Sequence, residues 1–457
     1  MKRSKRQVHR KTHKIPQIQF EEQKLTSFSG LVLFQAFFSQ ICLKERLQSC
    51  FAHLRSSSIF QHSVITLLLI VHLLLGFRRL RDNRYYRDDP MVKRLLGLNI
   101  LPDVATMSRQ LACADDKSVE KLRNLCRKLC LDRLQPLGLR RLTLDFDGSV
   151  QSTMRSAEAT AVGFNKKKKG ARSYYPLFCT IAQTGQVFDL LHRSGNVHDS
   201  NGAKAFISQC IQFIRDRLGN ITFEVRMDAA YFSDEIVSAL NELGVEFTIS
   251  VPFERFSQLK TIIAEQRYWD HYNQDLSFFE RSWKPKKWND RYRFLFIRQK
   301  VRQQQKDPIQ LDLFIPYQCG FDFKVIITNK RSSSKKVLNF HNGRGEQEGI
   351  FAELKSHCQM DYVPVKTRIG NQIYLLSAVL AHNLARELQM LANLRQRNTT
   401  EKRSPLWIFQ ELNTFRRNLL QRAGRLTAPH GTLTLTISAN NQVSQELIRY
   451  LHAAKAA

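Results

Sequence analysis

Three carboxylates at separated places in the chain could share one task. Asp147 ends RLTLDFDG, where Leu142, Leu144 and Phe146 alternate with Thr143, Asp145 and Asp147, the two-residue period of a strand. Asp228 ends ITFEVRMD, a second strand-like run. Strand ends of an α/β sheet are where ligands and reactions commonly sit. Taken singly, each Asp is also explained as turn punctuation. The third carboxylate, Glu348, lies in HNGRGEQEGIFAELK, His341 to Lys355. Gly343 and Gly345 point to a helix starting near Glu346, with Ile350, Phe351, Leu354 and Cys358 as its apolar stripe. Arg344, Glu348 and Lys355 share a different face. Surface ion pairing, which contributes little, accounts for Glu346 and Glu353 but leaves that spacing unexplained.

The elements that must position these residues follow from the patterning. After RLTLDFDG come two apolar runs, YYPLFCTIA and QVFDLLH, joined at Gln183-Thr184-Gly185 as a hairpin. A helix is predicted from about Ser200 to Leu218, then ITFEVRMD, then a helix in SDEIVSALNELG capped by Ser233 or Asp234 and stopped at Gly244. VEFTISVP is the next strand. The order β-β-β-α-β-α-β predicts an α/β fold, a mixed sheet with helices packed on it. About ninety residues then precede Glu348. Within them RYRFLFIRQ, IQLDLFIP and FDFKVIITN alternate like antiparallel strands, and Trp269, Trp283 and Trp288 suit either packing or base stacking.

Residues from about 25 to 135 read as helical, with apolar positions three and four apart. Pro102 and Asp103 open a helix carrying Thr106, Ser108 and Arg109, readable as a recognition helix or as an ordinary bundle helix. VITLLLIVHLLLGF, Val64 to Phe77, is too short to span a bilayer and contains His72. It reads as a buried core helix, too far from the N-terminus for a signal peptide. The nine Cys show no CxxC pair, and Cys126 and Cys130 lack a second pair for zinc. Reduced thiols in a cytoplasmic, nucleoid-associated protein are expected, with no membrane partner.

Charge indicates the partner. The chain has 71 Lys and Arg against 40 Asp and Glu, a formal net charge of +31. Such an excess favours a polyanion, nucleic acid before an anionic membrane or acidic protein. The acid-free start MKRSKRQVHRKTHK reads as a basic arm, and Lys166, Lys167, Lys168 and Lys169 with Arg172 as a phosphate-contact loop or a solvated charge run.

The stretch around Glu348 resembles the Tyr-Arg-Glu-Lys signature of bacterial insertion-sequence transposases of the DDE class. It reads His341, Arg344, Glu348 and Lys355 here, with His in place of Tyr and the other spacings matching. LDFDGS is similar to that family's first-Asp segment and VRMDAAYFSDEIVSALNELGVEFTIS to its second. GFNKKKKGARSYYPLF with RSGNVHDSNGA resembles the region between, and FRRNLLQRAGRLTAPHGTLTLTIS the tail of one subgroup, so the likeness spans about residues 20 to 440.

That resemblance implies an RNase H-like catalytic core in which Asp147, Asp228 and Glu348 hold two Mg2+ ions, with Mn2+ able to substitute. Asp145 is the rival for the first place; Asp147 is preferred because Gly148 and Ser149 follow it. Arg344, Lys355 and His341 would meet DNA phosphate, and Trp288 a base. The implied layout is a basic arm (1–20), a helical DNA-binding domain (21–137), a divided core (138–250 and 339–395), a β-rich insertion (251–338) and a C-terminal region for dimerisation or DNA contacts (396–457). The implied partners are double-stranded DNA, as terminal inverted repeats and target, and a second copy in a homodimer. Two other readings stand beside this one: a catalytically inactive transposase-derived DNA-binding protein, and a structure-selective nuclease.

Overall fold

The computed structural model describes residues 15–54, 59–154, 156–163, 165, 168–198, 201–301 and 320–456. Lys166, Lys167, IQLDLFIP and most of the basic arm lie outside the described residues.

The alternating runs form one nine-stranded mixed sheet. In chain order its strands are β1 (Arg141–Gly148), β2 (Leu177–Ile181), β3 (Gln186–Leu191), β4 (Thr222–Met227), β5 (Glu246–Val251), β6 (Asp270–His271), β7 (Leu276–Trp283), β8 (Tyr292–Lys300) and β9 (Phe321–Thr328). The order across the sheet is β6-β7-β8-β9-β5-β4-β1-β2-β3. β1 and β4 are parallel, as are β4 and β5, so their carboxyl ends lie together. β2 and β3 add as an antiparallel hairpin whose turn includes Gly185 at φ 63°, a conformation glycine adopts without strain. Reading outward from β3, the five core strands form the mixed sheet that the patterning predicted, in an order that fits the RNase H-like core implied by the resemblance. The inserted strands do not fold apart: β9 pairs antiparallel with β5, and β8, β7 and β6 continue the same sheet. Alternation identified the strands but carried no information about the edge they would join.

The helices, in chain order, are α1 (Leu31–Gln40), α2 (Leu43–Phe51), α3 (His62–Leu74), α4 (Pro90–Leu96), α5 (Val104–Ala112), α6 (Asp116–Leu134), α7 (Ala203–Leu218), α8 (Asp234–Glu242), α9 (Ser257–Glu265), α10 (Ser334–Asn342), α11 (Gly345–Ser356), α12 (Arg368–Ala392) and α13 (Asn441–Lys455). α3 is the apolar run, buried nearly all round. It packs along α12, and α13 packs on α1 and α12. Residues 28–126 and 350–454 therefore share one hydrophobic core, and the helices predicted as an N-terminal domain are built into the C-terminal ones. α7 and α8 cover the sheet face lined by Leu142, Leu144 and Phe146. Among the described residues no helix is long and apolar enough to cross a membrane.

Burial of titratable groups makes this fold acid-sensitive. Desolvation holds His72, inside α3, at about 4 and His192 at about 3, against an ordinary 6.5. Below about pH 6.5 the unfolded chain therefore takes up protons that the native state refuses, and stability falls as pH falls. At about 1.4 kcal/mol per pKa unit, the urea midpoint is expected to drop between about pH 6.5 and 4, and less steeply in His72→Gln. An unchanged slope in that variant would contradict the assignment.

Candidate active site

The site end of the sheet is set by register. Asp145 pairs with Arg226, and Arg226 with Thr248. Two residues further along, on the same face, lie Asp147 on β1, Asp228 just past β4 and Ser250 on β5. Asp147 is 21% exposed at its side chain, and its Oδ1 accepts from Gly148 N at 2.8 Å. Asp228 caps the short helical turn Ala229–Tyr231, accepting from Ala230 N at 2.9 Å. Both therefore act as turn punctuation while presenting carboxylates at the end of the sheet.

α11 brings the third carboxylate. Its N-terminal turn is fixed to β1 by the buried Gln347, whose Nε2 donates to the Asp145 carbonyl at 3.0 Å. Gly343 makes the joint between α10 and α11 possible. A Cβ there would stand 1.9 Å from the Lys402 carbonyl oxygen and 2.1 Å from Arg226 Nη1. Arg344 then places Nη1 3.1 Å from Asp147 Oδ2 and Nη2 3.9 Å from Glu348 Oε1. Glu348 is 72% exposed and lies in the first turn of α11, where the helix dipole favours an anion. The expected stripe of Ile350, Phe351, Leu354 and Cys358 is buried beneath it.

Asp145, the rival to Asp147, has a different environment. It is 2% exposed and receives Arg226 Nε at 2.5 Å and Nη2 at 2.6 Å. Arg226 also donates to the Phe340 carbonyl at 3.2 Å and the Lys402 carbonyl at 2.6 Å. Burial raises the Asp145 pKa, and Arg226 and Arg344 oppose that rise. A carboxylate enclosed in this way has a structural partner for both oxygens.

Two predicted DNA contacts are corrected by their placement. His341 is 1% exposed, with Nε2 2.9 Å from Ser250 Oγ and Nδ1 3.0 Å from Thr248 Oγ1. Burial, then Lys324 and Arg344, push its pKa well below the ordinary value, so it is a neutral residue fastening α10 to β5. Trp288 is buried, its ring stacked 4.8 Å from that of Phe232. Packing also takes Trp269, which lies against Phe279, and Trp283, which lies against Phe294. Arg109 is exposed on α5, but Met107 and Leu111 of that helix pack into the shared helical core. Lys168 and Lys169 are exposed. Arg172 is exposed too, with Nε on Thr160 Oγ1 at 3.0 Å. Lys355, on α11, is partly exposed.

The donor chemistry suits a hard divalent cation, which takes oxygen ligands from one or two carboxylates and keeps its remaining positions for water and phosphate. A positive group already bridges two of the carboxylates, in the form of the Arg344 guanidinium. The carboxylates are not drawn into a closed cage: among the described residues no three of His, Cys, Asp and Glu gather closely enough to hold a metal ion.

The family model described as transposase DDE domain, group 1, matches residues 8–456. The chain belongs to the DDE transposase family. No similar curated protein is found. Among solved structures, the piggyBac transposase synaptic complex with hairpin DNA is similar at 11% identity, over 94% of this chain and 85% of that one, with a TM-score of 0.41. The Mos1 transposase paired-end complex with left transposon end is similar at 12% identity, over 48% of this chain and 70% of that one, with a TM-score of 0.17. At such scores the likeness supports no inference about residues or partners. Family membership and a mixed α/β core with carboxylates at adjacent strand ends agree with each other.

Proposed function

We propose that this family member is a DNA transposase of a bacterial insertion sequence. It binds terminal inverted repeats as a homodimer, cleaves phosphodiester bonds at the element's ends, and transfers the freed 3′ ends to target DNA. The observation that carries the reading is the grouping of Asp147, Arg344 and Glu348 beside the strand end that bears Asp228. Asp147, Asp228 and Glu348 would hold two Mg2+ ions, or Mn2+ in their place. When bound, such ions activate water and stabilise the attacking and leaving oxygens of a phosphodiester displacement. Arg344 would turn from the carboxylates to a phosphate oxygen, for which its planar fork is suited. Lys355, Lys168, Lys169, Arg172 and Arg109 would contact the backbone elsewhere, in keeping with the charge of +31. A second reading is a DNA-binding relative without catalysis, which the presence of Asp147, Asp228 and Glu348 argues against.

The test uses a plasmid carrying the gene with its native flanks, purified protein and Mg2+. Double-strand breaks at the element's ends are expected with wild type and absent with Glu348→Ala. Tight binding without cleavage, in Mg2+ or Mn2+, would favour the non-catalytic reading. Cutting without joining of pre-cleaved ends would favour a structure-selective nuclease.

A further inference from the structure

Glu353, which the patterning assigned to surface ion pairing, is a buried carboxylate of α11, 7% exposed at its side chain. Both of its oxygens are engaged. Oε1 accepts from the Leu412 backbone N–H at 2.8 Å. Oε2 accepts from Arg386 Nη2 and lies 3.4 Å from His382 Nε2. His382 and Arg386 stand one turn apart on α12, the helix that packs along α3 in the shared core. Burial by itself raises the Glu353 pKa, but His382, Arg386 and the Leu412 N–H outweigh it and hold the carboxyl well below its ordinary range. The reading above leaves this group without a task.

A charged group is costly to enclose, and apolar side chains of similar volume often stabilise a fold as well. What the carboxylate adds is direction. The stripe of Ile350, Phe351 and Leu354 holds α11 by buried area, which is non-directional. The face beside the stripe is open: Glu346, Gly349, Ala352 and Ser356 line a cavity of about 380 Å3. A Cβ at Gly349 would meet nothing within 4 Å. Packing on that side therefore leaves α11 room to turn about its axis. Two polar anchors oppose the turn. Gln347 ties the first turn to the Asp145 carbonyl, and Glu353 ties the second half of the helix to α12 and to residue 412. Glu348 lies between these anchors and is itself 72% exposed, so it takes its place from the helix. It projects about 140° around the axis from Glu353, so a rotation that frees one displaces the other.

We propose that Glu353 is a positioning residue for Glu348: through Arg386, His382 and Leu412 it fixes the rotation of α11, and with it the place of the third carboxylate at the candidate metal site. The proposal rests on the transposase reading. It also gives the shared helical core a part in the chemistry, since α12 is the body against which α11 is set.

The test compares Glu353→Gln with Ile350→Val, which trims the stripe of the same helix, in the full chain. Cleavage of the native-flank plasmid is followed across a Mg2+ titration. Mn2+ binding to the protein–DNA complex is followed by the electron paramagnetic resonance signal of the free ion. Groups that orient metal ligands contribute about 10–100-fold to metal affinity or activity, so Glu353→Gln is expected to raise the half-saturating concentration of both ions by about tenfold. Ile350→Val is expected to lower the urea midpoint and leave both concentrations unchanged. Equal shifts in the two variants overturn the proposal, as does a folded Glu353→Gln that binds both ions as wild type does. If Glu353→Gln does not fold, Arg386→Gln, which removes the cation and keeps a donor, carries the same expectation. Amide exchange over α11, read by mass spectrometry, needs neither metal nor cleavage. Faster exchange there in Glu353→Gln, with α12 as protected as in wild type, supports the anchor even where the wild type neither cuts nor binds Mn2+, a result that defeats the catalytic reading alone. Unchanged exchange in that case overturns both.

Discussion

Asp147→Asn is expected to reduce cleavage of the native-flank plasmid by about 10³-fold or more, the scale seen when a group acting in the reaction is removed. The substitution is nearly isosteric. The carboxamide keeps an oxygen that can accept from Gly148 N, the bond now made at 2.8 Å, and the side chain stands partly in water, so the stability change should be under about 1 kcal/mol. Asp145→Asn, two residues earlier, should behave in the opposite way. It leaves the buried Arg226 guanidinium without its counter-charge and should destabilise the fold by several kcal/mol, roughly the loss on breaking a buried ion pair. Whatever folds should still cut. Rates per folded molecule, corrected with urea curves, separate the two positions. A fully active Asp147→Asn beside a folded but inactive Asp145→Asn would exchange the assignments. Full activity in both would remove β1 from the chemistry.

The contrast between these two residues shows where sequence patterning stops. Both Asp residues fall on one face of β1, and alternation alone treats them alike. What separates them is Arg226 on β4, eighty-one positions away, and it becomes a partner only when β1 and β4 are placed side by side in parallel. The hairpin at Gly185, the buried α3 and the apolar stripe of α11 were legible because each is a local pattern. The anchor at Glu353 was not, since the helix pattern shows its face but not the Arg386 of α12 or the Leu412 N–H that meet it. His341 was misread for a related reason. Its spacing from Arg344 and Glu348 suggested one shared surface, but it closes α10 rather than opening α11 and turns inward onto Thr248 and Ser250. Trp288 sits in a loop rich in Lys, and nothing local to it announces the stack on Phe232.

Arg226→Met carries the largest expected effect on stability. The side chain is fully buried, and its guanidinium serves Asp145 with two bonds and the Phe340 and Lys402 carbonyls with one each. Met is close in length and apolar, so the loss is one of charge and hydrogen bonds more than of volume. Removing one partner of a buried pair destabilises by about 3–5 kcal/mol, because the remaining carboxylate is left desolvated and unpaired. Asp145 would respond by holding its proton, since burial already raises its pKa. The loss in Arg226→Met should therefore shrink at lower pH, against the acid-labile trend that His72 and His192 impose on the rest of the fold. The double variant Asp145→Leu/Arg226→Met replaces both charges with apolar groups and should regain much of the stability lost in the single one. Urea unfolding of the four members of this cycle measures the coupling directly. If the two single losses simply add in the double variant, the pair is not coupled, and α10 and α11 are held against the sheet by Gln347 and the close joint at Gly343 instead.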